Sequence, residues 1–200
     1  QAFDLVPASV SGDIGYPLGS GNGRQLVWVY AGQLDPLQSY DLKLIADDRQ
    51  PVDIAGMVAQ VDTAALRERL EGIVGIRHFQ TGTAGLNRCR DSIETAFRRY
   101  GLPFTQQGFP YSNLSGENLI GDLPGTLFAD TVLIIDGHYD TVDNSPGADD
   151  NASAVVGMLE AARILSQYRF RRGLRFIGFD LEEVGLRGSL HYVGNRPAGE

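Results

Sequence analysis

The stretch Thr131-Val-Leu-Ile-Ile-Asp-Gly-His-Tyr-Asp140 decides the fold. Its first six residues form a nearly continuous apolar run, which suits a strand buried on both faces. Asn151 to Ser166 follows with helical period, placing Ala152, Val155, Val156, Leu159 and Ala162 on one stripe. Leu174 to Phe179 reads as a second buried strand. Strand, helix and strand with a crossover of this length predict parallel pairing and a right-handed connection. The expected fold is therefore α/β, with a mixed, mostly parallel central sheet flanked by helices.

Working outward, Asp62 or Thr63 can cap a helix that runs to about Glu71. A second helix, Ala84 to Tyr100, stops at Gly101 with Arg98 and Arg99 in its last turn. Its apolar stripe is Leu86, Cys89, Ile93, Phe97 and Tyr100. Phe104 to Phe109 and Glu117 to Asp122 read as short strands, and Gly188 to Val193 opens a further helix. Residues 1–60 look different. Short β-prone runs, Gln25 to Tyr30 and Tyr40 to Ile45, alternate there with turns such as Gly19-Ser-Gly-Asn-Gly23. That glycine cluster lacks phosphate-loop spacing and precedes a strand, so it reads as a surface loop. The expected division is an N-terminal extension or small accessory unit, 1–60, followed by the main domain, 61–200.

The chain has 200 residues, 42% of them hydrophobic and 21% charged, which is globular composition with room for a core. A formal net charge of -8 argues against nucleic acid or an anionic membrane as partner. No apolar run approaches the roughly 18 residues of a membrane span. The basic run Arg169-Phe-Arg-Arg172 complements the end of the preceding helix as a solvated face. A lone Cys89 cannot form an internal disulfide and reads as a small buried hydrophobe. Without a signal-like apolar core the chain is expected to be cytosolic or already processed, and the start at Gln1 without Met favours processing or trimming. A secreted or periplasmic location is expected.

Three clusters carry the chemistry. His138 and Asp140 stand two apart at a strand end and point the same way in extended geometry. Asp140 can orient the imidazole of a metal-bound His138, or simply serve a turn. Gly147-Ala-Asp-Asp-Asn-Ala-Ser153 leads into a helix, where one aspartate can act as N-cap and the second is surplus to capping. Glu182-Glu183 follows the second buried strand. Adjacent carboxylates there repel one another and are costly to desolvate unpaired. Imidazole and carboxylates converging at strand ends are ligand types that catalytic zinc prefers.

These stretches resemble the co-catalytic zinc aminopeptidases, metallopeptidase family 28 of the zinc exopeptidases. The matching segments are Val132-Leu-Ile-Ile-Asp-Gly-His-Tyr-Asp-Thr141, Pro146-Gly-Ala-Asp-Asp-Asn-Ala-Ser153 and Phe176-Ile-Gly-Phe-Asp-Leu-Glu-Glu-Val-Gly-Leu-Arg-Gly-Ser189. Weaker similarity reaches back to about Asp62 and includes Asn118-Leu-Ile-Gly-Asp-Leu-Pro-Gly125. The resemblance implies two zinc ions, with His138 on one, Glu183 on the other and Asp150 between them. It implies Asp140 as the partner of His138 and Glu182 as the general base. It also implies a cis peptide at Asp150-Asn151, which favours Asp150 over Asp149 as the ligand. The implied activity is hydrolysis of N-terminal peptide bonds, on peptide or protein substrates.

A glutaminyl cyclase-like acyltransferase and a metal-free receptor-like homologue are the alternatives, the second opposed by the intact acidic set. The family pattern also needs a later Asp and a later His. His191 lies too near Glu183 and reads as a helix-surface residue, whereas His78 reads as structural. The ligand set and the sheet are therefore expected to be incomplete, and the chain to be inactive alone. The rest of its own polypeptide, or a second processed chain, would then be its partner.

Overall fold

A computed structural model of the protein describes residues 9–12, 25–29 and 53–195. The chain divides into two units, Gln1–Val52 and Asp53–Glu200. In the first, β1 (Ser9–Gly12) and β2 (Leu26–Val29) pair antiparallel, Ser9 opposite Val29. The expected strand at Gln25 to Tyr30 is thus present as β2. Tyr40 to Ile45 and the glycine cluster at 19–23 lie outside the described residues.

The second unit opens with α1 (Ile54–Val58) and α2 (Thr63–Ile73). Asp62 caps α2, its carboxylate accepting from the Ala64 and Ala65 N–H groups at 3.0 Å. The segment is tied down further by Glu160, which accepts from the Asp62 N–H, and by Arg163, which donates to the Gln60 carbonyl. Next comes α3 (Thr83–Arg99), ended by Gly101 at φ +71°, where a side chain would be strained. The predicted stripe is its buried face: Cys89, Ile93 and Phe97 are fully buried. Burial pushes the Cys89 thiol up to about 11, so it is a packing group rather than a nucleophile.

β3 (Phe104–Tyr111), β4 (Leu114–Leu123), β5 (Phe128–His138) and β6 (Arg172–Phe179) form one sheet in the order β3-β4-β6-β5. β5 and β6 are parallel, as the strand-helix-strand pattern requires, with α4 (Ala154–Leu165) between them in the chain. The sheet is mixed, as expected. Its balance among the described strands is antiparallel, two of three pairings, because β3-β4 is a hairpin and β6 runs opposite to β4.

Two expectations need correction. β5 is not buried on both faces: it is the edge of the described sheet, and Leu133 and Ile134 are 57% and 44% exposed. The helix after the aspartates begins at Ala154 rather than Asn151, because Asp150 (φ -108°, ψ 94°) and Asn151 have non-helical backbone inside a wide turn, Ala148–Ser153. The basic run is a solvated face, as expected: Arg169, Arg171 and Arg172 are exposed, and the last two guanidinium groups lie over the exposed Phe128 ring, at 5.5 and 5.3 Å from its centroid. The main core fills the sheet face covered by α3 and α4, with Leu119, Val155, Leu159 and Phe176 at its centre. The opposite face carries α5 (Arg187–Gly194) over a smaller cluster of Ile120, Ile177 and Tyr192.

Candidate metal centre at the ends of β5 and β6

β5 ends at His138 and β6 at Phe179, and the two residues are parallel partners, so the segments that follow start side by side. After β6 the chain turns sharply. Leu181 sits at φ 54° and Gly185 at φ 104°, while Glu182 O accepts from the Gly185 and Leu186 N–H groups. A left-handed Leu costs roughly 1 kcal/mol or more, and hydrogen bonds hold it there. Asp180, itself buried, takes the Leu181 N–H and the Glu117 N–H and pairs with Arg90 at 2.5 Å.

The predicted residues converge. His138 Nε2 lies 2.9 Å from Asp150 Oδ1 and 3.7 Å from Glu182 Oε2. Ligand atoms of His138, Glu182 and Glu183 all fall within 4.8 Å of one another. Asp140 is 2% exposed and works in two directions. Its Oδ1 stands 3.4 Å from His138 Nδ1, and its two oxygens accept from the Glu182 and Glu183 N–H groups at 3.1 Å each. One carboxylate therefore faces the imidazole and clamps the turn bearing both glutamates. Asp150, unlike Asp149, reaches the imidazole; Asp149 contributes its carbonyl, which accepts from Ser153 Oγ at 2.7 Å. The Asp150–Asn151 peptide is cis. Neither aspartate caps α4: Asn151 Oδ1 accepts from Ala154 N at 3.2 Å and takes that part.

The electrostatics are those of a crowded anionic site. Burial raises the Glu183 carboxyl, and the Asp150, Asp140 and Glu182 charges add to this against relief from His138. Burial alone would lower the His138 imidazole, but Asp140, followed by Glu182 and Asp150, carries it above its usual range. His138 Nδ1 is buried and faces Asp140 Oδ1 at 3.4 Å, too poorly aligned for a full hydrogen bond. A cation among these oxygens would relieve the mutual repulsion and take the electron pair of the imidazole, so the donor set fits zinc.

The other two imidazoles stand apart from this group. His78 Nδ1 accepts from Gln80 N and Thr81 N and caps its own turn. His191 stacks on Phe109 at 5.2 Å and bonds Asn195. Two supporting residues were missed from the sequence. Asn118, fully buried in β4, donates to Gly188 O and accepts from Asp180 N, pinning the glutamate-bearing turn. A polar residue inside an apolar strand was its signal. Arg77 had none, since a single Arg in a connecting segment ordinarily reads as surface.

The fold, a mixed α/β sheet with flanking helices, is of the zinc exopeptidase-like type. Solved structures share it at the level of fold. A glutaminyl cyclase from Macrostomum lignano superposes with a TM-score of 0.56 at 20% identity, over 68% of this chain and 44% of that one. A Zn-dependent exopeptidase from Parabacteroides distasonis gives 0.54 at 22% identity, over 66% and 54%. In sequence, residues 118–200 match the model of Peptidase family M28. Aminopeptidase YwaD of Bacillus subtilis is 42% identical over 84 residues, covering 42% of this chain and 18% of the relative. The chain thus spans under a fifth of that relative's length.

Proposed function

We propose that the protein is a zinc-dependent exopeptidase, an aminopeptidase that hydrolyses N-terminal peptide bonds. The observation that carries this reading is the convergence of His138, Glu182 and Glu183 within 4.8 Å, with Asp150 Oδ1 at 2.9 Å from the imidazole. His138 and Glu183 would each hold one zinc, with Asp150 shared between the two. When bound, zinc supplies a Lewis acid that polarises the scissile carbonyl and acidifies water. Glu182 accepts a proton from the attacking water and returns it to the departing amine, so the peptide C–N bond breaks as the new C–O bond forms. Asp140 aims the imidazole through Nδ1 and fixes both glutamates through their N–H groups.

Catalytic zinc typically takes three protein ligands and a water. His138, Glu183 and a shared Asp150 leave each ion short of that number, so the 200 residues alone are proposed to be inactive. The fold is shared with a glutaminyl cyclase, which sets the competing outcome: cyclisation of an N-terminal Gln with ammonia release, on one zinc rather than two. The test, made on the longest available form of the protein, is zinc stoichiometry together with turnover of an amino-terminal peptide chromophore and of an N-terminal Gln peptide. Two zincs with chromophore hydrolysis support the peptidase. One zinc with pyroglutamyl product overturns it in favour of the cyclase.

A further inference from the structure

Arg77 is wholly buried, yet among the described residues no carboxylate lies within ion-pair distance of it. Burial pushes its guanidinium down from the usual value, against the charges of Cys89 and Asp140. Its donors go to main-chain carbonyls instead. Nη1 donates to Ile73 O, Gly75 O and Pro146 O at 3.0 Å each, Nη2 to Gly147 O at 2.9 Å, and Nε to Tyr139 O at 2.7 Å. Its own N–H donates to Thr141 Oγ1 at 2.9 Å, and two residues earlier the Gly75 N–H donates to Pro146 O.

These acceptors are not scattered. Tyr139 immediately follows His138, and Gly147 begins the approach to Asp150. One rigid planar fork therefore bridges the segment leaving β5 and the segment entering the Asp150 turn, and anchors both to the end of α2. The packing leaves no slack at the joint. Gly147 is left-handed at φ +56°, and a Cβ there would press on the Thr141 methyl and on Arg77 Nη2. Cutting the fork frees the two backbones whose separation sets the contact between His138 Nε2 and Asp150 Oδ1.

We propose that Arg77 is a positioning residue: it fixes the spacing of His138 and Asp150, and through them the metal affinity of the site. The proposal rests on the zinc reading given above for its metal arm and on hydrogen-bond geometry alone for its metal-free arm. Lys at this position keeps the charge but offers a single point of donation, so it cannot span both segments.

The test compares wild type with Arg77→Lys and Thr141→Val, each at a temperature where the variant is fully folded. Zinc affinity is read by competition, and site geometry by the absorption spectrum of bound Co2+. The expected result is that R77K binds zinc about 10- to 100-fold more weakly, the range for residues behind metal ligands, with an altered Co2+ spectrum. T141V should weaken binding less. A general structural role would lower the melting temperature and leave both metal readouts at wild-type values; that outcome overturns the proposal. If R77K does not fold, T141V decides by the same criterion. If the longest available form of the wild-type protein binds no zinc, the functional reading falls and the metal-free arm still judges Arg77. Long-range 1H–15N spectra report whether His138 Nε2 is hydrogen-bonded. Loss of that bond in R77K or T141V supports the proposal, and an unchanged imidazole in both overturns it.

Discussion

β5 and β6 read alike in sequence, as two short apolar runs of one length, and they end in opposite circumstances. Leu133 on β5 pairs with Leu174 on β6, so both side chains point to the α3/α4 face. Leu174 is 7% exposed and Leu133 is 57% exposed. The difference is position in the sheet: β6 has a partner on each side, and β5 has one among the described strands. The other edge, β3, carries the polar Thr105, Gln106 and Gln107, a composition suited to solvent, whereas β5 presents an apolar edge. The candidate site joins the two environments, with His138 at the tip of the open strand and the glutamates just beyond the closed one.

The sharpest way to break this comparison is to truncate matched positions. Phe176 on β6 is fully buried, its ring 6.4 Å from that of Phe97, and its β5 partner is Ile135. Phe176→Ala should lower unfolding free energy by about 3–5 kcal/mol in denaturant titration. A loss under about 1 kcal/mol would mean that β6 is not the central strand of a packed core.

At the site, the next largest effect is expected from Glu182→Gln. In a form of the protein that hydrolyses an amino-terminal peptide, turnover should drop at least about a hundredfold, about 2.7 kcal/mol of barrier. Zinc content should stay near normal, because Glu183 and His138 remain. A mutant retaining most of its activity would remove Glu182 from the role of base. Asp150→Ala should then weaken zinc by at least about tenfold, or about 1.4 kcal/mol, while Asp149→Ala does far less. The geometry gives the order: Asp150 touches His138, and Asp149 offers its carbonyl to Ser153. The reverse order in a metal titration would show that the wrong aspartate had been chosen.

Much of this was legible in sequence because it depends on local pattern. The Asp62 cap, the Cys89-Ile93-Phe97 stripe, the Gly101 stop and the parallel strand pair are all set by residue type at short spacing. The exposure of Leu133 was not legible, because hydrophobicity reports that a strand wants cover and says nothing about which neighbours supply it. The start of α4 was misplaced for a related reason. A helical stripe beginning at Ala152 persists through a wide turn whose backbone departs from helix at Asp150 and Asn151. Arg77 was invisible because its partners are carbonyls, which every residue carries.

A smaller effect, about 1 kcal/mol, is expected on the closed face under α4. Arg163 holds the Glu160 carboxyl below its usual range through bonds of 2.7 and 2.9 Å, and the Asp62 N–H adds to this. A depressed carboxylate contributes stability that is present above its unfolded value, about 4.3, and is lost as pH falls through the folded value. Glu160→Gln should therefore reduce stability at neutral pH and flatten its decline on the acid side. An acid-side slope identical to wild type would show that Glu160 is not linked to folding.

The smallest effect is predicted for Leu133→Ala, and it decides what the β5 edge is. Leu133 shares its sheet face with Leu174, so sequence alone would assign it a core residue's penalty of about 2–5 kcal/mol. With more than half of its surface in water, truncation removes little buried area and leaves no cavity. The loss should stay within about 0.5 kcal/mol, the scale of surface substitutions. Denaturant titration of residues 53–200 and of the longest available form of the protein separates two origins of a larger value. A penalty above about 2 kcal/mol in the longer form alone would mean that further polypeptide covers β5. The same penalty in both would mean that Leu133 is buried within this unit, and the contrast between β5 and β6 would fail.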